Sequence, residues 1–258
     1  MPVSTFHQYK TQATVKTLVK EREAAADIRR KAVVLLSGGL DSTTCLAWAL
    51  DQHYACHALS VAYGQRHQVE LDAARAVADA MGVEDHRVVT LNLGDIARSS
   101  LTDRTREVPK GRSLTDIGRA GDLPSTYVPA RNLVLLSLAL SFAESIGART
   151  LVLGANVLDY SGYPDCRPSF VRAFEQAANL ATREGGFQVL TPLMDLTKAQ
   201  IIRLGVSLGV DFGMTFSCYD PTPEGLACGR CDTCRLRARG FTEAGVPDPT
   251  AYATPPLP

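Results

Sequence analysis

Between residues 31 and 209 the chain alternates apolar runs of strand length with segments whose apolar residues recur at helical spacing, and this alternation leaves few folds open. KAVVLLS at 31–37, ACHALSVAY at 55–63, HRVVTLNL at 86–93, TLVLGAN at 150–156 and FQVLTPL at 187–193 read as strands. The first helix carries Leu46, Ala49 and Leu50 on one face, and LDAARAVADAMG repeats the pattern with Leu71, Ala74, Val77 and Met81 before closing on Gly82. RNLVLLSLALSFAESIG reads as a buried helix and PSFVRAFEQAANLATR as an amphipathic one. TKAQIIRLGVSLG supplies another, capped by Thr197 and ended near Gly209. Strands alternating with helices predict an α/β fold, a Rossmann-like parallel sheet with helices on both faces. Such sheets bind ligands beyond the carboxyl ends of their strands, where strand order reverses, so the loops after Leu36, Ala62 and Leu153 should converge.

A chain of 258 residues, 45% hydrophobic, can bury the core of one large domain or of one domain and a small appendage. The expected division is a polar N-terminal extension at 1–30 with no assigned function, an α/β domain at 31–215, and a C-terminal cysteine-bearing module with a Pro-rich tail at 216–258. The polar stretch at 94–127 is too long for an ordinary connection and is a candidate lid. No apolar run approaches the roughly 20 residues of a membrane span, and the start lacks the build of a secretory signal, so a cytoplasmic protein without membrane contact is expected. The formal net charge of zero gives no global field for a nucleic-acid backbone, and no direct nucleic-acid partner is expected.

The first strand runs into SGGLDSTT, where a helix begins. A helix N-terminus offers unpaired amides and roughly half a positive charge, and glycines let a phosphate approach the backbone. Gly38 and Gly39 would admit the anion, and Ser37, Ser42, Thr43 and Thr44 would ring it with hydroxyls. Asp41 suits a helix cap or a carboxylate beside Mg2+. An ordinary capped turn is the competing reading. Neither a Walker A loop nor G-x-G-x-x-G is present. Beyond the fourth strand, ANVLDYSGYPDCRP is polar and turn-rich, so Asn156, Asp159, Tyr160, Asp165 and Arg167 can reach the crevice. Cys166 lacks any sign of a lowered pKa and reads as lining.

Four of the seven cysteines, Cys218, Cys228, Cys231 and Cys234, follow C-x9-C-x2-C-x2-C. Four soft ligands in a polar stretch suit tetrahedral, structural Zn2+ with no open position. An iron–sulfur cluster is the rival, but the C-x3-C-P spacing of ferredoxins is missing.

SGGLDSTT resembles the pyrophosphate-binding loop of the N-type ATP pyrophosphatases. With YGQRHQVEL, PSTYVPARN, GANVLDYSGYPDCRPSF and the cysteine cluster, residues from 31 to about 241 resemble the 7-cyano-7-deazaguanine synthases of queuosine biosynthesis. The resemblance implies an ATP-dependent, nitrile-forming C–N ligase whose partners are 7-carboxy-7-deazaguanine and ammonia, acting as a homodimer with ATP, Mg2+ and structural zinc. The carboxylate would be adenylated, ammonia would displace AMP, and the amide oxygen would be activated again and lost. The implied nucleotide site comprises Leu36, Ser37, Gly38, Gly39, Leu40, Asp41, Ser42, Thr43, Thr44, Cys45, Leu46, Gln65 and Arg66. Substrate binding falls to Asn132, Asn156, Asp159, Tyr160, Tyr163, Asp165 and Arg167, and catalysis to Asp41, Arg131, Asp165 and Arg167. Asp165 would take the amine of the base and Arg167 the carboxylate, or the reverse. Two departures stand out: the extension, and Ala130 where the family pattern has glycine. A tRNA-thiolating relative and a non-catalytic zinc-stabilised binding module remain as alternatives.

Overall fold

In β1 (Lys31–Leu35) every second side chain faces the same way, and the strand sits inside two cores at once. Ala32 and Val34 join one cluster, and Val33 and Leu35 the other. A strand buried on both faces is the mark of a parallel sheet covered by helices on both sides. The protein is described by a computed structural model, which places residues 30–66, 68–117, 123–158 and 163–256. Nearly all of the expected extension, together with Asp159 and Tyr160, lies outside the described residues.

The remaining strands are β2 (Ala55–Ala62), β3 (Asp85–Thr90), β4 (Thr150–Val152) and β5 (Gln188–Leu190). They form one parallel sheet in the order β3-β2-β1-β4-β5, with Val33 between His57 and Leu151. The chain builds outward from β1 to β3, then returns to the other side of β1. The order therefore reverses between β1 and β4, as the pattern predicts.

Helices α1 (Leu40–Asp51), α2 (Val69–Met81) and α6 (Lys198–Ser207) cover one face, where Leu46, Ile201 and Ile202 are fully buried. Burying each such side chain stabilises the fold by roughly 1.5–3 kcal/mol relative to exposure. On the other face lie α4 (Arg131–Ile146) and α5 (Pro168–Ala181), with Leu136, Ala139, Val171 and Phe174 pointing inward. Thr197 caps α6 in a reciprocal capping box with Gln200. The sequence reading of α4 as a buried helix needs correction: it packs through one stripe only, and Leu133 is 44% exposed. An outer-layer helix has one face on the sheet and one away from it.

Two features were not anticipated. Helix α7 (Asp232–Ala244) starts within the cysteine cluster and packs on α6, placing Phe241 in the first core. The candidate lid is fastened along much of its length, which includes the short α3 (Leu114–Ile117). Arg66 donates to the carbonyls of Ser100, Asp103 and Arg106, Gly111 N donates to Arg230 O, and Arg112 pairs with Asp232 at 2.8 Å. The described residues from Lys31 onward form one compact unit, so the cysteine-bearing stretch is packed on the α/β body.

Candidate active site

A cavity of about 290 Å³ opens beyond the carboxyl ends of β1, β2 and β4. It lies where the strand order predicts a ligand, and Leu36, Val61 and Leu153 line it. One wall is the turn from β1 into α1. Gly38 takes φ +78°, and a Cβ there would lie 2.3 Å from Glu70 O and 2.5 Å from Ala74 N. Only glycine lets α2 pass this close behind the turn. Across from it, a Cβ on Gly154 would stand 3.3 Å from the Ser42 amide, so glycine keeps that amide approachable.

The first-turn amides of α1 have no partners within their own helix. Ser37 and Ser42 face each other at 3.0 Å between hydroxyl oxygens, and Ser42 also accepts from Ser37 N at 3.1 Å. The chain therefore pins its turn with two of the four expected hydroxyls. The other two are not brought to the cavity: Thr43 and Thr44 are buried, and Thr44 Oγ1 donates to Leu40 O at 2.9 Å. Each residue advances about 100° around a helix, so these positions rotate into the core. Cys45 and Leu46 are core side chains too, and burial, aided by Asp41, holds the Cys45 thiol well above its ordinary range.

Asp41 faces the cavity and is held by Lys198, whose Nζ lies 2.7 and 2.9 Å from its two oxygens. Lys198 is the first residue of α6 and only 8% exposed, so this pair fastens α6 to the turn. At the opposite end Arg131 extends over the Tyr63 ring at 5.9 Å. Burial opposes its charge, but the oxygens of Tyr63, Tyr219 and Tyr163 outweigh that and keep the guanidinium protonated. Burial pushes the Glu70 carboxyl up to about 7 against the pull of Arg131. Tyr63, Tyr163 and Tyr219 with Arg131 offer flat faces, a cation and hydroxyls to a planar polar ligand.

Several expected residues support the site through their own bonds. Asp165 Oδ2 accepts the Asn132 amide at 2.9 Å, and Asn132 Nδ2 donates to Asp165 O and to Cys166 Sγ. The carboxylate thus caps the start of α4. Asn156 lines the cavity but spends its amide on Leu193 O and Leu196 O at 2.8 and 2.5 Å. Gln65 Oε1 accepts Tyr63 N, and Arg66 lies in a small adjoining recess, tied to the 94–127 segment. Arg167 is exposed at the head of α5, outside the cavity lining. Burial pushes the Cys166 thiol up to about 11, consistent with lining. The sequence reading passed over Glu70, Ser217, Tyr219 and Arg237, all of which line the cavity.

The second constellation is the buried set Cys218, Cys228, Cys231 and Cys234, whose sulfurs all lie within 4.8 Å of one another. Cys231 and Cys234 sulfurs are 3.4 Å apart, and those of Cys228 and Cys234 4.0 Å. Zinc–sulfur bonds of about 2.3 Å give tetrahedral edges of about 3.8 Å, so the set fits this ion. Backbone amides point at the sulfurs: Cys228 N donates to Cys218 Sγ at 3.2 Å and Cys231 N to Cys228 Sγ at 3.3 Å. Such donors favour thiolate, while the neighbouring thiols divide the set: contacts led by Cys218 hold Cys228 far below the ordinary range and bring Cys231 down to about 7, and contacts led by Cys228 and Cys218 push Cys218 and Cys234, respectively, far above it. These four residues could hold zinc, with no position left for a substrate.

Residues 31–245 match the family described as queuosine biosynthesis protein QueC. The chain is 58% identical over 232 residues to the 7-cyano-7-deazaguanine synthase of Solidesulfovibrio magneticus, covering 88% of this chain and 97% of that protein. It is 57% identical over 229 residues to the enzyme of that name from Syntrophotalea carbinolica (87% and 97%), and 58% over 227 residues to that of Myxococcus xanthus (86% and 97%). Among solved structures, NMN synthetase from Francisella tularensis aligns over 95% of this chain and 83% of that one at 15% identity and a TM-score of 0.41, too loose a likeness to bear on the fold. Among the described residues no helix is long and apolar enough to cross a membrane.

Proposed function

The chain belongs to the QueC family of queuosine biosynthesis proteins, and from that membership we propose that it converts 7-carboxy-7-deazaguanine, ammonia and ATP to 7-cyano-7-deazaguanine. What carries this reading is the cavity itself, where the helix-start amides of α1 and the Arg131–tyrosine end meet at the sheet's reversal point. A triphosphate and a planar deazapurine acid need those two ends.

In this reading the turn at 37–42 receives the two outer phosphates of ATP on backbone amides, and the α-phosphate faces the substrate carboxylate. Attack by a carboxylate oxygen on that phosphorus forms the acyl phosphate bond and breaks the bond to pyrophosphate. Ammonia then adds to the acyl carbon, AMP leaves, and a proton is released. The amide oxygen then attacks the α-phosphorus of a second ATP, releasing pyrophosphate and one N–H proton, and the C–O bond breaks as AMP leaves with that oxygen and the second N–H proton departs, leaving the nitrile. None of these steps demands a strong base from the protein, so orientation and charge placement dominate. Lys198 keeps positive charge beside the phosphates, and Arg131 holds the anionic or aromatic end of the substrate. Asn132 and Tyr163 border it, and Asp165 acts through Asn132. Arg167 would serve the substrate from outside the cavity lining, and the substrate roles of Asp159 and Tyr160 rest on the family resemblance alone.

Magnesium, which supplies charge neutralisation on phosphate, takes most of its ligands from water and phosphate. One Asp41 oxygen suffices for it, leaving the other to Lys198. Zinc on the four thiolates would be structural, making 216–258 a metal-stabilised module on the nucleotide-binding part at 31–215. Family resemblance supports a homodimer, which light scattering of the purified protein tests. A thiolating enzyme would need a nucleophilic cysteine in the cavity. Among the described residues Cys166 is the one lining it, and burial keeps it protonated.

Incubation of the purified chain with ATP, ammonium and the carboxy-deazaguanine, followed by mass spectrometry, tests the proposal. Nitrile dependent on all three supports it. Unchanged acid with folded, metal-bearing protein refutes it.

A further inference from the structure

The segment that delivers the first thiolate also touches the phosphate turn. Phe216 N donates to Gly38 O at 2.9 Å, and the Leu40 amide, first in α1, donates to Ser217 Oγ at 3.3 Å. Cys218, fully buried among the four sulfurs, is the next residue. Its Cα is one peptide unit, about 3.8 Å, from that of Ser217, so no flexible residue separates ligand from contact. The other end of the segment is fixed by Arg237 of α7, which donates to Thr215 Oγ1 at 2.8 Å and to Phe212 O at 3.0 Å. Ser217 also lines the cavity. Its oxygen accepts an α1 amide while the hydroxyl proton stays available, so the amide's donor capacity can be passed one atom farther into the cavity.

We propose that Ser217 is part of the phosphate site and that the tetracysteine centre positions it there. The hydroxyl relays the first α1 amide to a phosphate oxygen, and metal on Cys218 fixes where that hydroxyl stands. This rests on reading the turn at 37–42 as the site of the outer phosphates, and it adds a residue and a coupling to it. Zinc then does more than close the C-terminal stretch: its occupancy sets the affinity of the turn for phosphate.

Calorimetric titration of the metal-loaded full chain with inorganic pyrophosphate, and separately with adenosine, is the test. Ser217→Ala should bind pyrophosphate about tenfold more weakly or worse, as expected for one hydrogen bond from a hydroxyl to an anionic oxygen. Metal content and adenosine binding should be unchanged, and Ser217→Thr, which keeps the hydroxyl, should restore the affinity. Stripping the metal should weaken pyrophosphate binding more in the parent chain than in Ser217→Ala, because the variant has already lost part of what the metal positions. Pyrophosphate binding by metal-loaded Ser217→Ala as tight as the parent's, or tighter, overturns the proposal, as does an equal loss in both on stripping. If stripping unfolds the chain, the titrations of metal-loaded protein decide alone. A parent chain that binds no pyrophosphate instead overturns the phosphate reading of the turn, and the role of Ser217 falls with it.

Discussion

Replacing Lys198 by methionine keeps the length of the buried stem and removes only the ammonium that holds Asp41. The side chain of Lys198 is 9% exposed and that of Asp41 32%. Breaking a fully buried pair by deleting one partner costs about 3–5 kcal/mol, chiefly because the other charge is left uncompensated. Water reaches about a third of Asp41, so the lower part of that range applies, with further reduction for screening: about 2 kcal/mol. For a unit of this size 1 kcal/mol moves the melting temperature by roughly 2–4 °C, so Lys198→Met should melt about 4–8 °C lower. Adding Asp41→Asn to it should recover part of the loss, since the carboxylate left without its partner is then gone. Differential scanning calorimetry of the parent, both single variants and the double variant closes the cycle. A Lys198→Met melting point within 1 °C of the parent, or single losses that merely add in the double variant, would show that the pair is not what fastens α6 to the turn.

Ala130→Gly should be slightly stabilising. Ala130 sits at φ 54°, ψ 25°, where a side chain costs about 1–2 kcal/mol, partly offset by the extra freedom glycine loses on folding, so a rise of about 1–2 °C is expected and a fall of more than 2 °C would contradict it. Gly38→Ala should destabilise by more than about 3 kcal/mol, since the left-handed strain adds to a collision with α2 backbone; calorimetry within 2 °C of the parent would refute the close approach. Cys166, with its thiol pushed up to about 11 from 9.0, should alkylate about tenfold faster per pH unit between 8 and 10, followed by peptide mass mapping; a plateau by pH 9 contradicts the shift. Because this pKa is raised in the folded state, its contribution to stability is complete below about pH 9 and is lost as pH climbs toward 11.

What the sequence made legible was whatever repeats locally. The period-2 and period-3.6 runs mark all five strands, and the helices α1, α2, α4, α5 and α6 with them, and the turn at 37–42 is recognisable because glycine and hydroxyl residues cluster where strand meets helix. Four cysteines at short spacing announce their own chemistry. Partnerships across long separations were hidden: Lys198 meets Asp41 across 157 positions, and Arg66 reaches carbonyls 34 to 40 positions away. Helix α7 was missed for another reason. DTCRLRARGFTEA has no apolar stripe, because Arg235 and Arg237 are buried in it, with Arg237 satisfied by Thr215, Phe212 and Asp248. The hydroxyl count at the turn misled in part, since composition lists four and helical rotation turns two of them inward. Ser217 carried no mark of its own beyond preceding a cysteine.

The most direct measurement is a crystal structure of the chain with ATP and magnesium. The β- and γ-phosphates should lie on the backbone amides between Gly38 and Ser42, with Lys198 and Asp41 beside them and the α-phosphate turned toward the Arg131 end of the cavity. Phosphates bound elsewhere, with that turn left to solvent, would contradict the assignment of nucleotide activation to this site.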